Sequence, residues 1–203
     1  MKINKIIGVG FQKTGTSTLR AALEILGYSV LGPRTDLAAA LDDGDWDTIY
    51  KESNGYDALE DNPWAVCFKE LDLKYPNSKF ILTIRNKDKW IQSVVNHFGN
   101  TSTKMREYIY GDNNGDPLGK EAIYLKRYTD HIIEVKKYFK DRPNDLLIMY
   151  MEKGYGWLEI CEFLNCKIPR KKFPHVNKGA YSTKEKVLKF LKKKFRTFLK
   201  LDK

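Results

Sequence analysis

The chain has 203 residues, 42% of them hydrophobic and 31% charged, a composition that is typical of a soluble globular protein and excludes a disordered chain. It contains no run of about 18 apolar residues, which excludes a membrane-spanning helix. The length predicts a single domain over residues 1–203, and the lack of a signal-peptide core at the N-terminus favours a cytoplasmic protein.

The net charge of +10 is concentrated near the C-terminus, where Lys184–Lys203 holds nine lysine and arginine residues against Glu185 and Asp202. Apolar residues recur on one face of this stretch, which predicts a basic amphipathic helix over residues 183–203. Such a helix would either dock on the body of the protein, which we expect, or make a peripheral contact with an anionic membrane. The other residues carry little excess charge, so we expect no nucleic-acid partner.

Three cysteines, Cys67, Cys161 and Cys166, lie in apolar surroundings and lack the spacing of metal ligands. An odd number of buried thiols is typical of a reduced cytosolic protein. The sequence therefore predicts neither a disulfide framework nor a metal centre.

The chain begins with a stretch of clear architecture, Lys5–Leu26. A short apolar run around Gly8 and Gly10 predicts a buried strand, and a loop rich in small and hydroxyl residues follows over Phe11–Thr16. Apolar residues then recur at helical spacing, at Leu19, Ala22, Leu23 and Leu26. A strand, a glycine loop and a helix together form an anion site, because the loop amides and the positive end of the helix point at one spot.

Further strands and helices alternate along the chain. Strands are predicted at Tyr28–Leu31, Tyr56–Glu60, Lys79–Arg85 and Leu146–Met151. Helices are predicted at Asp36–Leu41, Trp46–Ser53, Pro63–Tyr75 with Asn62 as its N-cap, Lys89–Phe98, Glu121–Phe139 and Trp157–Leu164. Residues 99–119 form a long irregular excursion of the kind that shapes binding sites. The alternation predicts an α/β three-layer fold with a central, mostly parallel sheet flanked by helices, whose ligands bind beyond the carboxyl ends of the strands.

The glycine loop partly matches the nucleotide-binding P-loop, GxxxxGK[ST]. Gly10 and Gly15 have the required spacing and Ser17 supplies the hydroxyl, but Thr16 stands where that motif has lysine. The lysine of this loop is Lys13, which can neutralise an anion but not with the geometry of an ATPase. A tight turn that binds nothing is the alternative interpretation.

Three segments resemble the sulfotransferases, in the order in which that family has them. The run from Lys13 to Ser17 is similar to the family's phosphosulfate-binding loop. Arg85 and Ser93, eight residues apart, resemble the pair that binds the 3′-phosphate of 3′-phosphoadenosine 5′-phosphosulfate (PAPS) in that family. The stretch through Trp157 to Phe173–Asn177 is similar to the end of a bacterial and viral branch. The resemblance covers about residues 5–180 and implies a P-loop-type fold.

The resemblance implies PAPS as sulfuryl donor, 3′-phosphoadenosine 5′-phosphate (PAP) as product, and no metal. The cofactor-binding residues that it implies are Gln12, Lys13, Thr14, Gly15, Thr16, Ser17, Thr18, Arg85, Ser93, Lys178 and Gly179. One position departs from the pattern, because animal cytosolic members place a tryptophan where Thr18 stands, to stack on adenine. Adenine must therefore be held in another way.

The implied reaction is in-line transfer of a sulfuryl group to a hydroxyl or an amine, driven mainly by positioning and charge stabilisation. Lys13 would stabilise the negative charge that develops on the leaving phosphate. A hydroxyl acceptor also needs a general base. Asp61 is the first candidate, with a helix-capping role as the alternative, followed by His97 and then His175. Lys69 could assist, although a solvated position is the simpler interpretation.

Two other functions stay open at this point. A small-molecule or nucleotide kinase would use the same loop, but the lysine is missing at position 16 and no clear magnesium-binding carboxylate follows a strand. A non-catalytic anion-binding or membrane-adaptor module would keep the fold without affinity for PAPS. The acceptor could be a carbohydrate, a lipid head group, a phenol or a small metabolite, in a pocket that Tyr108 and Tyr110 would line. The oligomeric state is open as well.

Overall fold

A computed structural model describes residues 4–176 and contains a five-stranded sheet in which every strand pair is parallel. The strands are β1 (Ile6–Gly8), β2 (Val30–Leu31), β3 (Ala58–Leu59), β4 (Lys79–Ile84) and β5 (Leu146–Tyr150), in the spatial order β2-β3-β1-β4-β5. The helices are α1 (Thr16–Ile25), α2 (Ala38–Asp42), α3 (Trp46–Asn54), α4 (Phe68–Lys74), α5 (Lys87–Phe98), α6 (Lys104–Tyr110), α7 (Glu121–Tyr138) and α8 (Trp157–Leu164). Short 3-10 turns lie at Thr35–Leu37, Pro143–Asp145 and Met151–Lys153.

The sheet separates two apolar layers, as expected from strands whose side chains alternate between faces. Ile6, Ala58 and Ile81 pack on one face against the apolar sides of α1 and α8. Ile7 and Leu59 pack on the other face, where α2 to α7 contribute the rest of the core. The predicted three-layer α/β fold with a central parallel sheet is confirmed.

The central position of β1 brings the ends of three strands together. Ile7 is paired with Leu59 of β3 on one side and with Phe80 of β4 on the other. The residues that follow β1, β3 and β4 therefore emerge at the same edge of the sheet, where ligands bind in such folds.

The predicted helix start at Pro63 is wrong. The peptide bond between Asn62 and Pro63 is cis, and the chain turns before α4 begins at Phe68. The amides of Val66 and Cys67 bond to the Pro63 carbonyl at 2.9 and 3.1 Å. Asn62 caps no helix, because its side-chain amide donates instead to Gln12 Oε1, across the sheet edge.

The prediction of an irregular excursion over residues 99–119 is also wrong in its central part, where α6 forms. Thr103 caps this helix by accepting a hydrogen bond from the Arg106 amide at 3.3 Å. The buried Arg106 guanidinium donates to the carbonyls of Thr101 and Gly115, both at 2.6 Å. One side chain thus ties both ends of the excursion to its helix.

The predicted basic helix at residues 183–203 lies outside the described residues, as do Asn177, Lys178 and Gly179. Within residues 4–176, no helix is both long enough and apolar enough to cross a bilayer.

Gly10, just after β1, provides a test of the close packing at this edge. A Cβ atom there would lie 2.0 Å from Thr83 Oγ1 and 2.7 Å from the Thr83 carbonyl oxygen, which cannot move aside without shifting β4. We expect Gly10→Ala to lower the free energy of unfolding by about 3 kcal/mol, at the upper end of overpacking costs. Gly55→Ala is the matched control, because Gly55 has an ordinary φ of −77° and open space around it. Equal urea midpoints for the two variants would contradict this account.

Candidate functional site

The loop between β1 and α1 adopts a backbone that only a few residue types tolerate. Lys13 and Gly15 both have left-handed φ angles, 69° and 102°. A Cβ at Gly15 would also lie 2.8 Å from the hydroxyl oxygen of Tyr155, so glycine is required here for space as well as for conformation. The first amides of α1 follow directly and have no partner within their own helix.

The carbonyl oxygens of the loop are held by the surrounding structure. Four of them accept a hydrogen bond from a side chain: Val9 from His131 Nε2 at 2.7 Å, Phe11 from Thr14 Oγ1 at 2.6 Å, Gln12 from Trp90 Nε1 at 2.9 Å and Lys13 from Arg85 Nη1 at 3.3 Å. A carbonyl that is bonded in this way cannot turn its negative end towards a bound anion. The loop therefore keeps its amides, and not its carbonyls, available for a ligand.

His131 on α7 is a supporting residue that sequence reasoning missed. Its ring is fully buried and stacks on Phe11 with a centroid distance of 4.2 Å. Burial lowers the pKa of His131 to about 4, so the neutral ring carries its proton on Nε2 and donates to the Val9 carbonyl. Its position three residues after buried Tyr128 and four before buried Val135 is the sequence signal that could have revealed it.

Arg85 immediately follows β4 and is held through its backbone. Its amide donates to the Tyr128 hydroxyl at 3.0 Å, and that hydroxyl donates in turn to the Arg85 carbonyl at 2.9 Å. Tyr128 stacks on Trp90 at 4.1 Å, and Trp90 is the residue that holds the Gln12 carbonyl. The same aromatic pair therefore positions Arg85 and the glycine loop relative to each other.

Lys13 lies between one positive and one negative neighbour. Burial lowers the pKa of its ammonium group, the charge of Arg85 lowers it further, and the charge of Asp61 opposes both. Lys13 forms no ion pair with any residue that the structure describes. An anion beside this amine would relieve the unfavourable burial of its charge.

Asp61 lies beside the start of α1. Its Oδ2 accepts a hydrogen bond from Thr16 Oγ1 at 2.9 Å, and its Oδ1 accepts one from the Asn62 amide at 2.8 Å. Burial raises the pKa of this carboxyl, while both hydrogen bonds lower it. Because α4 begins only at Phe68, the alternative role of Asp61 as a helix cap is wrong.

Glu60 is a second carboxyl that sequence reasoning did not single out, although it also follows β3. Its side chain is 1% exposed, and its Oε1 accepts a hydrogen bond from Arg20 Nε at 2.8 Å. Its Oε2 is buried and has no partner among the described residues. Burial raises the pKa of Glu60 to about 7, with a further contribution from the charge of Asp61 and an opposing one from Arg20. Burial and the charge of Asp61 thus oppose the ionised form of Glu60, which the ion pair with Arg20 favours.

Two of the predicted ligand-binding residues turn their side chains into the protein. The Thr14 hydroxyl is fully buried between the Phe11 carbonyl and Thr83 Oγ1, the latter at 2.7 Å. The Gln12 amide nitrogen donates to the Tyr110 hydroxyl at 2.7 Å. These two side chains therefore hold the shape of the loop, and the hydroxyl of Thr14, one of the implied cofactor-binding residues, is already bonded within the protein.

Tyr110 also departs from its predicted place on a pocket wall. It is 5% exposed and stacks on Tyr124 of α7 with a centroid distance of 3.6 Å. Through its bond to Gln12, Tyr110 ties α6 to the glycine loop. Tyr108, two residues earlier in α6, is 40% exposed.

The remaining candidates lie around this centre. Ser17 is half-buried in the first turn of α1, and the Thr18 hydroxyl donates to the Val176 carbonyl at 3.4 Å. That contact brings the end of the described chain to the loop. Ser93 is half-buried on α5, one turn before His97, which is exposed and lies edge-on to Phe98 at 4.7 Å.

Two weaker candidates have other partners. Lys69 forms an ion pair with Glu134 of α7 and lies over the ring of Phe68. His175 is exposed and contacts the ring of Phe173 at 6.0 Å. Neither residue joins the group formed by Lys13, Asp61 and Arg85.

Comparisons with known proteins agree with this architecture. A family model described as a sulfotransferase domain matches residues 5–181. Among curated proteins, the chain is similar to the Ava biosynthesis cluster protein M of Aspergillus versicolor, with 26% identity over 218 aligned positions that cover 85% of this chain and 80% of that protein. The family match spans the glycine loop, both carboxyls after β3, and Arg85, so the chain belongs to the sulfotransferase domain family.

Proposed function

We propose that this protein transfers a sulfuryl group from PAPS to a hydroxyl or amine of an acceptor and releases PAP. The observation that carries the proposal is the contact between Arg85 and the loop carbonyl of Lys13 at 3.3 Å. It places two cationic side chains at neighbouring strand ends, as a ligand with anionic groups at both the 5′ and the 3′ side of an adenosine requires.

The residues present fit such a donor. The amides of Gly15 to Ser17 and the ammonium group of Lys13 would hold the phosphosulfate end, because the loop carbonyls are engaged elsewhere. The guanidinium of Arg85, with the Ser93 hydroxyl, would hold the 3′-phosphate. Thr16 and Thr18 would shape the start of α1 through their bonds to Asp61 and Val176.

PAPS would supply the sulfuryl group that moves to the acceptor, and PAP would be the leaving group. Lys13 would stabilise the negative charge on the 5′-phosphate oxygen of that leaving group. Asp61 accepts the proton that the acceptor hydroxyl loses, and its raised pKa makes it a better base than an exposed aspartate. Thr16 and the Asn62 amide hold the carboxylate in place for this step.

A kinase remains the second candidate, because one argument against it is weaker in the structure than in the sequence. Glu60 and Asp61 both follow β3, so carboxylates do stand beside the loop where a kinase would hold magnesium. The absence of lysine at position 16 still argues against ATP, since the loop amine comes from Lys13 instead. The choice of nucleotide distinguishes the two functions.

Donor selectivity gives the first test of the proposal. We expect PAP to raise the melting temperature far more than AMP or ATP at equal concentration, because only PAP carries a phosphate for Arg85 as well as one for the loop. Measurements by differential scanning fluorimetry, with and without magnesium, would decide this. Equal shifts for AMP and PAP would remove the assignment of Arg85, and a larger shift for magnesium-ATP would favour the kinase.

The affinity for PAP also shows how much Arg85 contributes to binding. Arg85→Ala should weaken PAP binding by about 1.5–3 kcal/mol, the scale of a hydrogen bond to a charged group. Lys89→Ala is the matched control, because Lys89 is an exposed lysine in the first turn of α5. A control that loses as much affinity as Arg85→Ala would indicate a general loss of positive charge.

Substitution of Lys13 should show whether this residue acts in the chemical step or in binding the donor. We expect Lys13→Met to lower kcat strongly while the Kd for PAP rises less, because the charge next to Lys13 is largest in the transition state. Single-turnover transfer from labelled PAPS and calorimetric titration of PAP measure the two quantities. If kcat and the affinity for PAP fell by the same factor, Lys13 would act in binding and not in the chemical step.

Asp61 should give a characteristic pH dependence. A base acts when deprotonated, so the rate should rise with pH through the pKa of Asp61, which burial holds above its ordinary value. Asp61→Asn should lower kcat by about 10²–10⁴-fold and remove that rise. Asparagine tolerates the left-handed φ of 70° at this position, so the fold should survive. Turnover close to wild type in Asp61→Asn would show that another group is the base.

A further inference from the structure

The half-buried cations of this protein fall into two groups. Those of the described chain are Lys13, Arg20, Arg34, Lys69, Lys79, Arg85, Lys120 and Arg127. Five of them form ion pairs with carboxylates: Arg20, Arg34, Lys69, Lys79 and Lys120. The other three half-buried cations, Lys13, Arg85 and Arg127, form no ion pair with a carboxylate among residues 4–176. The proposed donor accounts for Lys13 and Arg85, and Arg127 remains unexplained.

Arg127 lies on α7, above the first residue of the glycine loop. Its guanidinium carbon is 5.4 Å from the ring centre of Phe11. Three residues earlier on the same helix is Tyr124, which stacks on Tyr110. Because Tyr110 bonds to Gln12, Arg127 belongs to the wall that joins α6 to the loop.

The electrostatic effects of Arg127 place it on the tyrosine side of the site. Burial raises the pKa of Tyr108 and of Tyr110, and the charge of Arg127 opposes that rise in both. The charge of Asp61, the candidate base, also raises the pKa of Tyr110. Gln12 connects this side to the candidate base, because its amide nitrogen donates to the Tyr110 hydroxyl and its Oε1 accepts from Asn62, the residue next to Asp61.

A half-buried guanidinium without an anionic partner is unfavourable, and a single ring face compensates only a small part of its lost hydration. An anionic group bound to this guanidinium would offset that cost. Arg106, the other arginine of this wall, is buried and donates to the carbonyls of Thr101 and Gly115. Among the described residues Arg127 has no such hydrogen bond, which matches a bound group with one negative charge. A carboxylate has that charge and accepts the planar guanidinium fork with two parallel hydrogen bonds.

We propose that Arg127 binds a carboxylate of the acceptor, so that the acceptor class is a hydroxylated carboxylic acid. This inference rests on the proposed function, because it takes the space beside Asp61 and Tyr108 as the acceptor site. Arg127 is then a specificity-determining residue that holds the far end of the acceptor while Asp61 meets the hydroxyl.

Matched probe molecules test the inference by binding, without any need for turnover. The probes are para-hydroxybenzoate, para-hydroxyphenylacetate and para-hydroxyphenylpropanoate, each paired with its carboxamide, titrated by ligand-observed NMR into the full chain with PAP present. We expect at least one carboxylate to bind roughly tenfold more tightly than its carboxamide, the scale of one charged hydrogen-bonded contact. Arg127→Gln should bring that ratio close to one.

Two further variants control for charge and packing. Lys126→Gln removes an exposed neighbouring charge that is paired with Asp130, and it should keep the wild-type ratio. Arg127→Lys keeps the positive charge but loses the planar guanidinium group. Its preference for the carboxylate over the carboxamide should therefore fall between those of the wild type and Arg127→Gln. Melting temperatures of all variants would show that each is folded.

The inference is overturned if no carboxylate binds more tightly than its amide, or if Arg127→Gln keeps the preference. Failure of the proposed donor is a separate result, since it would appear as an absent PAP shift in the wild-type protein. A carboxylate preference that requires Arg127 but occurs without PAP affinity would support the anion site and reject the sulfuryl donor.

Discussion

The structure depends on the backbone of one loop being held in a conformation that it would not adopt alone. The left-handed conformation raises the free energy of a non-glycine residue by roughly 1–2 kcal/mol, and Lys13 adopts it in the middle of the loop. The surrounding protein offsets the cost with hydrogen bonds to three carbonyls between β1 and α1. Their donors are His131 of α7, Trp90 of α5 and Arg85, which follows β4. A rigid loop is the condition for binding an anion through amides, because each amide must already point inward when the ligand arrives.

The supports of the loop also connect the two sides of the site. Trp90 and Tyr128 hold the Gln12 carbonyl and the Arg85 backbone, so the loop cannot shift without moving the second cation. On the other side, the Gln12 side chain connects to Tyr110 of α6. The glycine loop, Arg85 and α6 are thus held relative to one another by the same few side chains, which would keep a fixed distance between the proposed donor and acceptor.

What could be predicted from the sequence is what local patterns determine. The strand, glycine loop and helix at the N-terminus follow from short-range spacing, and so does Arg85 at the end of an apolar strand. His131 and Trp90 were beyond reach, because their partners lie 122 and 78 residues away and a buried polar side chain gives no local sign of its partner. The error at Pro63 has the same origin, since Asn62 could cap a helix but bonds to Gln12, 50 residues earlier. The helix α6 was missed for a different reason, because glycine and asparagine on both sides masked a short helix with an ordinary threonine cap.

The order of the strands also has a consequence for synthesis of the chain. Strand β1 is made first but lies in the middle of the sheet, so both of its neighbours, β3 and β4, are made later. The last support of the loop, His131, leaves the ribosome some 118 residues after Lys13, on the order of ten seconds later at ordinary translation rates. During that interval the loop lacks the hydrogen bond from His131 that holds the Val9 carbonyl in the folded protein. The proposed anion site is therefore among the last features that the growing chain completes, although its glycine loop is among the first segments to be made.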